Sequence, residues 1–403
     1  MKFLTIDTNV GMEVARRFGK DGHTSFYSVI NGNPYPKLED SVNGYGFPEI
    51  QKIDDYASKV DESDVIVFTD VGMGALADYL RKQGNFVFGT DRISENLEVD
   101  RVYMHNTLNS LGIQTAPHKV CNGVAEVVEE LKANPTQHYI KINRFRGSAE
   151  TFGTDSADDA KLLLSHSGFD LMGKEVKFVL EEELEGVEWG IDAWFNGTDF
   201  QPTIAETIEI KDMGNYGWFT PTRESVWWKE VLKKLRPYLS ENGYRGQICF
   251  EGFSKDGKLS VTDVTCRMSY PCTFGYLTPE FVNWSELIYN TAIGEMSQIE
   301  TTKKYTLQLS LLTDEKDKWR EIHVKDRPLN NMLKRAMMVN DKIYFVPGED
   351  LVCTSVGWGN TFQETFEECK KAKDGVQVIR MYDQFEAVER KVQKKLEELE
   401  EEM

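Results

Sequence analysis

Glu251, Asp263, Thr265 and Arg267 place two carboxylates, a hydroxyl and a guanidinium within one stretch, Gln247-Ile-Cys-Phe-Glu251-Gly-Phe-Ser-Lys-Asp256-Gly257-Lys-Leu-Ser-Val-Thr-Asp263-Val-Thr265-Cys-Arg267. Such a set suits a divalent cation and a phosphoryl group, because Mg²⁺ takes oxygen ligands, keeps several waters and is completed by nucleotide phosphates. The stretch reads as a hairpin. Spacing by two puts Asp263, Thr265 and Arg267 on one face of a strand, with Val264 and Cys266 on the other. The turn decides where Glu251 points. A three-residue loop, Lys255-Asp256-Gly257, with Gly257 left-handed, brings Glu251 to the Asp263 face, whereas a two-residue Asp256-Gly257 loop puts it opposite. The three-residue loop is the expectation. The plainer alternative is a hairpin whose polar face only meets water.

The elements that must position this hairpin belong to a chain of 403 residues, long enough for two or three domains with a site between them. With 47 basic and 66 acidic side chains the net charge is −19, and no long basic run occurs. That argues against nucleic-acid and anionic-membrane partners while leaving room for a small basic phosphate pocket. The six cysteines form no CxxC pair and no zinc spacing, and they read as reduced thiols of a cytoplasmic protein. The chain opens on an apolar strand rather than a signal-peptide core, and no apolar run approaches membrane-spanning length.

Short apolar strands at 3–6, 25–29, 65–68 and 86–88 alternate with helical patterns at 12–18 and 75–83, which predicts a parallel α/β domain over residues 1–95. Its first turn has a single glycine, Gly11, so it is a poor dinucleotide fingerprint. A helix from 96 to Gly112 is expected next. Then come a helix at 124–132, a strand at 138–142 containing Lys141, the loop Asn143-Arg-Phe-Arg146-Gly147-Ser148-Ala-Glu-Thr-Phe-Gly153, a helix at 157–165 and a strand at 176–181. Strand, glycine-bearing loop, helix and strand form a layout whose loop amides can hold phosphate oxygens. Further strands are expected at 189–195 and 200–207. The turn-rich segment 211–221 reads as a mobile loop near a site, the helix 224–242 closes at Gly243, and 386–403 reads as a charged, solvent-exposed helical tail.

Taken in order, Arg101, Lys141, the loop 146–153, Glu181, Glu188, Glu251, Asp263, Thr265 and Arg267 resemble the nucleotide site of the ATP-grasp superfamily. The whole chain is similar to the phosphoribosylamine–glycine ligase family within it. The segments that carry the likeness are Asp64-Val-Ile-Val-Phe-Thr-Asp70 to Phe88-Gly-Thr90, Asn96-Leu-Glu-Val-Asp-Arg101 to Leu111-Gly-Ile-Gln-Thr-Ala116, Val179-Leu-Glu181-Glu-Glu-Leu-Glu-Gly-Val-Glu188, and Asp350-Leu-Val-Cys-Thr-Ser-Val-Gly357-Trp-Gly-Asn-Thr-Phe-Gln-Glu364. The resemblance implies an α/β and α+β multidomain fold: a parallel α/β pre-ATP-grasp domain at 1–95, a two-lobe ATP-grasp domain with antiparallel sheets at 96–300 whose lid lobe spans about 118–182, a small C-terminal domain at 301–385 and the tail at 386–403.

It also implies roles. Arg101 and Lys141 would meet the α- and β-phosphates, with Arg146, Gly147 and Ser148 in the phosphate loop. The backbone of Glu181, Glu182 and Leu184 would read adenine and Glu188 the ribose hydroxyls. Glu251, Asp263 and Thr265 would hold Mg²⁺, with Mn²⁺ as the alternative ion, and Arg267 and Lys141 would stabilise the phosphoryl in flight. The implied activity is ATP-dependent carboxylate–amine ligation through an acyl phosphate, with ADP and phosphate released, on a small-molecule acid such as glycine and an unidentified amine, by a monomer or homodimer. No general base stands out.

Three departures from the family pattern mark a divergent member. The first turn, Thr8-Asn9-Val-Gly11-Met-Glu13, lacks the glycine pair and the basic residues of the sugar-phosphate cradle; the phosphate loop is glycine-poor; and Asp263 and Thr265 stand for a longer carboxylate and an amide. The alternatives are glycinamide ribonucleotide synthesis itself, or a nucleotide-binding protein without catalysis.

Overall fold

The computed structural model describes residues 1–30, 37–144, 151–325 and 328–402. The first domain is a five-stranded parallel sheet in the order Gln51–Lys52, Thr24–Val29, Lys2–Asp7, Val65–Phe68, Val87–Phe88. Every residue of Val65–Phe68 is buried, as a strand covered on both faces requires. Helices Met12–Lys20 and Gly74–Lys82 flank it, so the carboxyl ends of its central strands open on one crevice.

The helix expected from 96 to 112 breaks at Asp100. Its extended backbone separates Asn96–Val99 from Arg101–Ser110, and its side chain accepts from the Tyr103 amide at 3.0 Å, capping the second helix. The break sets Arg101 on the first turn of the new helix. The segment expected to form the lid lobe is a four-stranded antiparallel sheet, His118–Asn122, Lys177–Glu182, His138–Ile142 and Thr151–Thr154 in spatial order. Helices Val124–Ala133 and Ala157–His166 share with it a separate apolar core around Val127, Leu131, Ile140 and Phe178.

The large sheet has nine strands. Its main path runs Lys258–Thr265, Gly246–Lys255, Val187–Phe195, Thr203–Ile210, Gly214–Pro221, Tyr305–Thr313, Leu351–Gly359, Asn331–Leu333, and Met381–Tyr382 joins at Tyr305–Thr313. Strands from both sides of residue 300 therefore belong to one sheet. A small four-stranded sheet, with Arg320–Val324 and Lys342–Phe345 at its centre, completes the C-terminal part.

Two expectations are corrected. Gly214–Pro221 is not a mobile loop but a strand paired on both sides, to Thr203–Ile210 and Tyr305–Thr313. Its glycines serve close packing rather than turning: a Cβ at Gly214 would lie 2.5 Å from the Gln308 carbonyl oxygen. The C-terminal helix, Phe385–Glu402, is no solvated tail. It buries Phe385, Val388, Val392 and Leu399 against the large sheet, an apolar stripe hidden among its charges. Among the described residues no helix is long and apolar enough to cross a membrane.

Candidate active site

The turn between Gly246–Lys255 and Lys258–Thr265 has two residues, Asp256 and Gly257, with φ of 49° and 70°, and Lys255 pairs with Lys258. The expected three-residue loop is therefore wrong. A two-residue turn alone would pair Glu251 with Thr262 and turn Asp263 inward beside Phe250. A β-bulge between Glu251 and Gly252 restores the phase: Gly252 pairs with Val261, Thr262 is the extra residue, and Glu251 stands across from Asp263. Val264 and Cys266 are fully buried in the core, while Glu251, Asp263, Thr265 and Arg267 line a cleft of about 580 Å³ between the lid sheet and the large sheet. The bulge has a second effect. The Thr262 carbonyl accepts from the Lys141 ammonium at 2.6 Å.

Lys141 also pairs with Glu181 at 2.9 Å, and both are almost fully buried. Glu181 is thus not part of a solvated edge. Its strand is central in the lid sheet, and its carboxylate meets the His105 ring nitrogen Nε2 at 2.9 Å. Burial pushes the Glu181 carboxyl up, but Lys141 and His105 outweigh it and hold the group below its ordinary value. Burial lowers the His105 pKa despite Glu181; Nε2 donates to the Glu181 carboxylate, and Nδ1 lies 3.0 Å from Thr115 Oγ1. The strand ends at Glu182, whose amide donates to the Pro117 carbonyl at 2.9 Å; Leu184 lies beyond it on the cleft wall.

Arg101 reaches across to Asp263, with Nη1 at 3.4 Å from Oδ1. Enclosure would raise the Asp263 pKa, but Arg101 and Lys141 together with the Val264 amide hold it low. Arg267 is held by Glu98 at 3.0 Å and Asp70 at 3.2 Å, and these carboxylates keep it firmly charged against its burial. Its ion pairs reach Asp70 at the crevice of the first domain and Glu98 on Asn96–Val99, not Asp263. Glu188 sits at the half-exposed rim beside Lys395, 3.3 Å away. Arg146, Gly147 and Ser148 lie outside the described residues.

Sequence reasoning missed Glu209. It lies at the end of Thr203–Ile210, a strand expected to stop at 207, and its carboxyl sits beside that of Glu251. Enclosure, with Glu188 and Asp212 nearby, raises the Glu209 pKa to about 7. Enclosure, Glu209 and Asp263 push Glu251 well up. Among the described residues no three His, Cys, Asp or Glu side chains are arranged to hold an ion unaided. Cleft carboxylates that repel one another nevertheless fit a hard cation that brings its own waters and phosphate oxygens.

At the crevice of the first domain, the Asp7 carboxylate accepts from the Gly11 and Val10 amides at 2.9 and 3.1 Å, Thr69 Oγ1 at 2.6 Å and the Tyr27 hydroxyl at 2.6 Å. These amides at the start of Met12–Lys20 are already satisfied by an internal anion.

No protein-family profile and no curated protein sequence matches this chain. Solved structures do. The phosphoribosylamine–glycine ligase of Thermotoga maritima superposes with a TM-score of 0.69 at 19% identity, covering 94% of this chain and 98% of that one. The biotin carboxylase domain of the Hydrogenobacter thermophilus 2-oxoglutarate carboxylase, solved with MgADP, ADP and bicarbonate, gives 0.68 at 13% identity over 94% and 91%. The N5-carboxyaminoimidazole synthetase of Staphylococcus aureus, complexed with ADP, gives 0.60 at 15% identity over 93% and 97%. At these identities the likeness establishes the fold alone, the α/β and α+β multidomain arrangement expected from the sequence.

Proposed function

We propose that the chain is an ATP-dependent carboxylate–amine ligase, joining a small-molecule acid to an amine through an acyl phosphate. The observation that carries this reading is the opposition of charge across one cleft: Glu209, Glu251 and Asp263 on the large sheet face Lys141 from the lid, with Arg101 and Arg267 at the junction. Acids alone would bind a cation and bases alone an anion. Both sets around one cavity suit a metal-bound polyphosphate. The nucleotides in two of the similar structures support the same choice.

Glu251 and Asp263, with Glu209 beside them and Thr265 completing the wall, would hold Mg²⁺ or Mn²⁺, which when bound neutralises charge on the phosphate oxygens. Lys141 and Arg101 exchange their carboxylate partners for phosphate oxygens and orient the chain of phosphates. Glu188 accepts from the ribose hydroxyls, and the backbone from Glu181 to Leu184 borders the base. The substrate carboxylate oxygen attacks the γ-phosphorus, the bond to the ADP oxygen breaks, and the acyl phosphate forms beside Arg267 and Lys141. The amine nitrogen then attacks the acyl carbon, phosphate leaves, and the nitrogen loses a proton to water.

The test is ADP release from ATP and Mg²⁺ with pools of amino acids and amines, phosphoribosylamine among them. The expected result is release that depends on one acid and one amine. Firm ATP binding without turnover in any pool would favour the non-catalytic reading. The likeness to the Thermotoga maritima enzyme favours phosphoribosylamine with glycine as a specific second reading. Asp7, already bonded to the Val10 and Gly11 amides, disfavours a phosphorylated amine in the first crevice. Complementation of a purine-requiring strain decides between them.

A further inference from the structure

The C-terminal helix Phe385–Glu402 brings Lys395 against Glu188 and Glu209, which line the cleft. Its ammonium lies 3.3 Å from Glu188 Oε2, 3.4 Å from the Glu188 carbonyl and 3.4 Å from the Glu209 carbonyl. An ammonium has three donors, and these three acceptors match them. The helix is not a loose strap. Val388, Val392 and Leu399 share a core with Val187, Trp189 and Ile191, which alternate with Glu188 and Gly190 along the strand, and with Ile208 and Ile210, which bracket Glu209. At its far end Glu402 accepts from the Asp256 amide at 2.6 Å, in the turn of the hairpin that carries Glu251 and Asp263.

We infer that Lys395 is a positioning residue of the nucleotide site: it holds the Glu188 carboxylate at the cleft rim to receive the ribose hydroxyls, so that docking of the C-terminal helix and nucleotide binding strengthen each other. The inference rests on the nucleotide-binding reading above. The physical need is plain. Glu188 shares the cleft wall with Glu209, Glu251 and Asp263, so its half-exposed carboxylate faces like charge, and Lys395 is the cation set against it. By linkage, a nucleotide that prefers the preset Glu188 must in turn stabilise the helix.

The experiment compares binding of MgATP and of the 2′,3′-dideoxy analogue, which lacks both hydroxyls, to the wild-type chain, Lys395→Gln and Lys395→Arg, with hydrogen exchange of residues 385–402 before and after MgATP. Lys395→Gln is expected to weaken ATP by about tenfold and to leave binding of the dideoxy analogue unchanged, and Lys395→Arg to recover most of the loss. MgATP is expected to slow exchange along the wild-type helix. Equal weakening of both nucleotides by Lys395→Gln, or no weakening, overturns the inference. If Lys395→Gln loses the helix, the wild-type exchange decides: unchanged protection on adding MgATP rejects the link. A wild-type chain that binds neither nucleotide rejects the ligase reading and this inference with it, whereas one that binds both equally rejects only the ribose role of Glu188 and Lys395.

Discussion

Lys141 and Thr262 tie the two lobes together: the ammonium of the lid lysine donates to the carbonyl of the bulge residue at 2.6 Å. The contact exists because the hairpin carries one residue more on its second strand than on its first, between Val261 and Asp263. The same irregularity that turns Asp263 toward the cleft offers an oxygen to the lysine that a nucleotide would recruit.

Lys141 consequently has a structural and a chemical role, and they are separable. Lys141→Met leaves Glu181 buried with His105 as its remaining named partner, so a stability loss of about 3 kcal/mol is expected from the broken buried pair. Turnover should fall at least ~100-fold, since a fixed cation at the developing charge is lost. Adding Glu181→Gln should recover much of the melting temperature and none of the turnover. Thermal melts and ADP release on the single and double variants measure the two effects apart.

The carboxylates of the large sheet predict an unusual pH response. Glu209, at about 7, and Glu251, pushed well up, retain protons in the folded chain that the unfolded chain releases near its ordinary carboxylate value. Their contribution is full below that value and is lost as pH climbs through about 7, so the metal-free melting temperature should drop between pH 5.5 and 8. Asp263 and Glu181, whose values are lowered, act in the opposite sense and only in more acidic solution. Mg²⁺ should therefore raise the melting temperature much more at pH 8 than at pH 5.5, and Glu251→Gln should flatten both trends. An equal Mg²⁺ shift at the two pH values would contradict the assignment.

These residues show which parts of the site the chain discloses. Asp263, Thr265 and Arg267 were legible because alternation along a strand is local, as was the parallel sheet with its wholly apolar Val65–Phe68. The phase of Glu251 was not, since Asp256-Gly257 fits a two-residue and a three-residue turn alike and the bulge that corrects it depends on the partner strand. Glu209 escaped because Gly214–Pro221, the strand that extends its neighbour to Ile210, reads as turn-rich until its partners are known. The partners of Arg267, Asp70 and Glu98, lie on elements far away in sequence, and charge alone does not choose among carboxylates.

Arg267 tests the value of guanidinium geometry. Its Nε meets both Glu98 and Asp70, and Nη1 donates to the Met268 carbonyl at 2.9 Å. Lysine retains the charge but presents a single point where arginine spans a fork. Arg267→Lys should therefore keep the melting temperature within a few degrees yet lose on the order of 100-fold in turnover. Retention of full turnover would demote Arg267 to an anchor between the first domain and the hairpin.

Asp263 provides a test in which two readouts move in opposite directions. In the nucleotide-free chain its carboxylate holds Arg101 at 3.4 Å, so a phosphate arriving without a metal must compete for that arginine and meets the negative charge of Asp263 as well. Asp263→Asn removes the charge and keeps the shape. ATP should then bind more tightly in the absence of divalent ions, because Arg101 is released to the phosphates and one repulsion disappears. The gain in affinity from Mg²⁺ should shrink, because the hairpin has lost an anionic oxygen ligand, and turnover should fall with it. Calorimetric titrations with EDTA and with Mg²⁺, on wild type and Asp263→Asn, measure both. Weaker metal-free binding in the variant would mean that Asp263 serves chiefly to orient Arg101 and not to share a metal with Glu251.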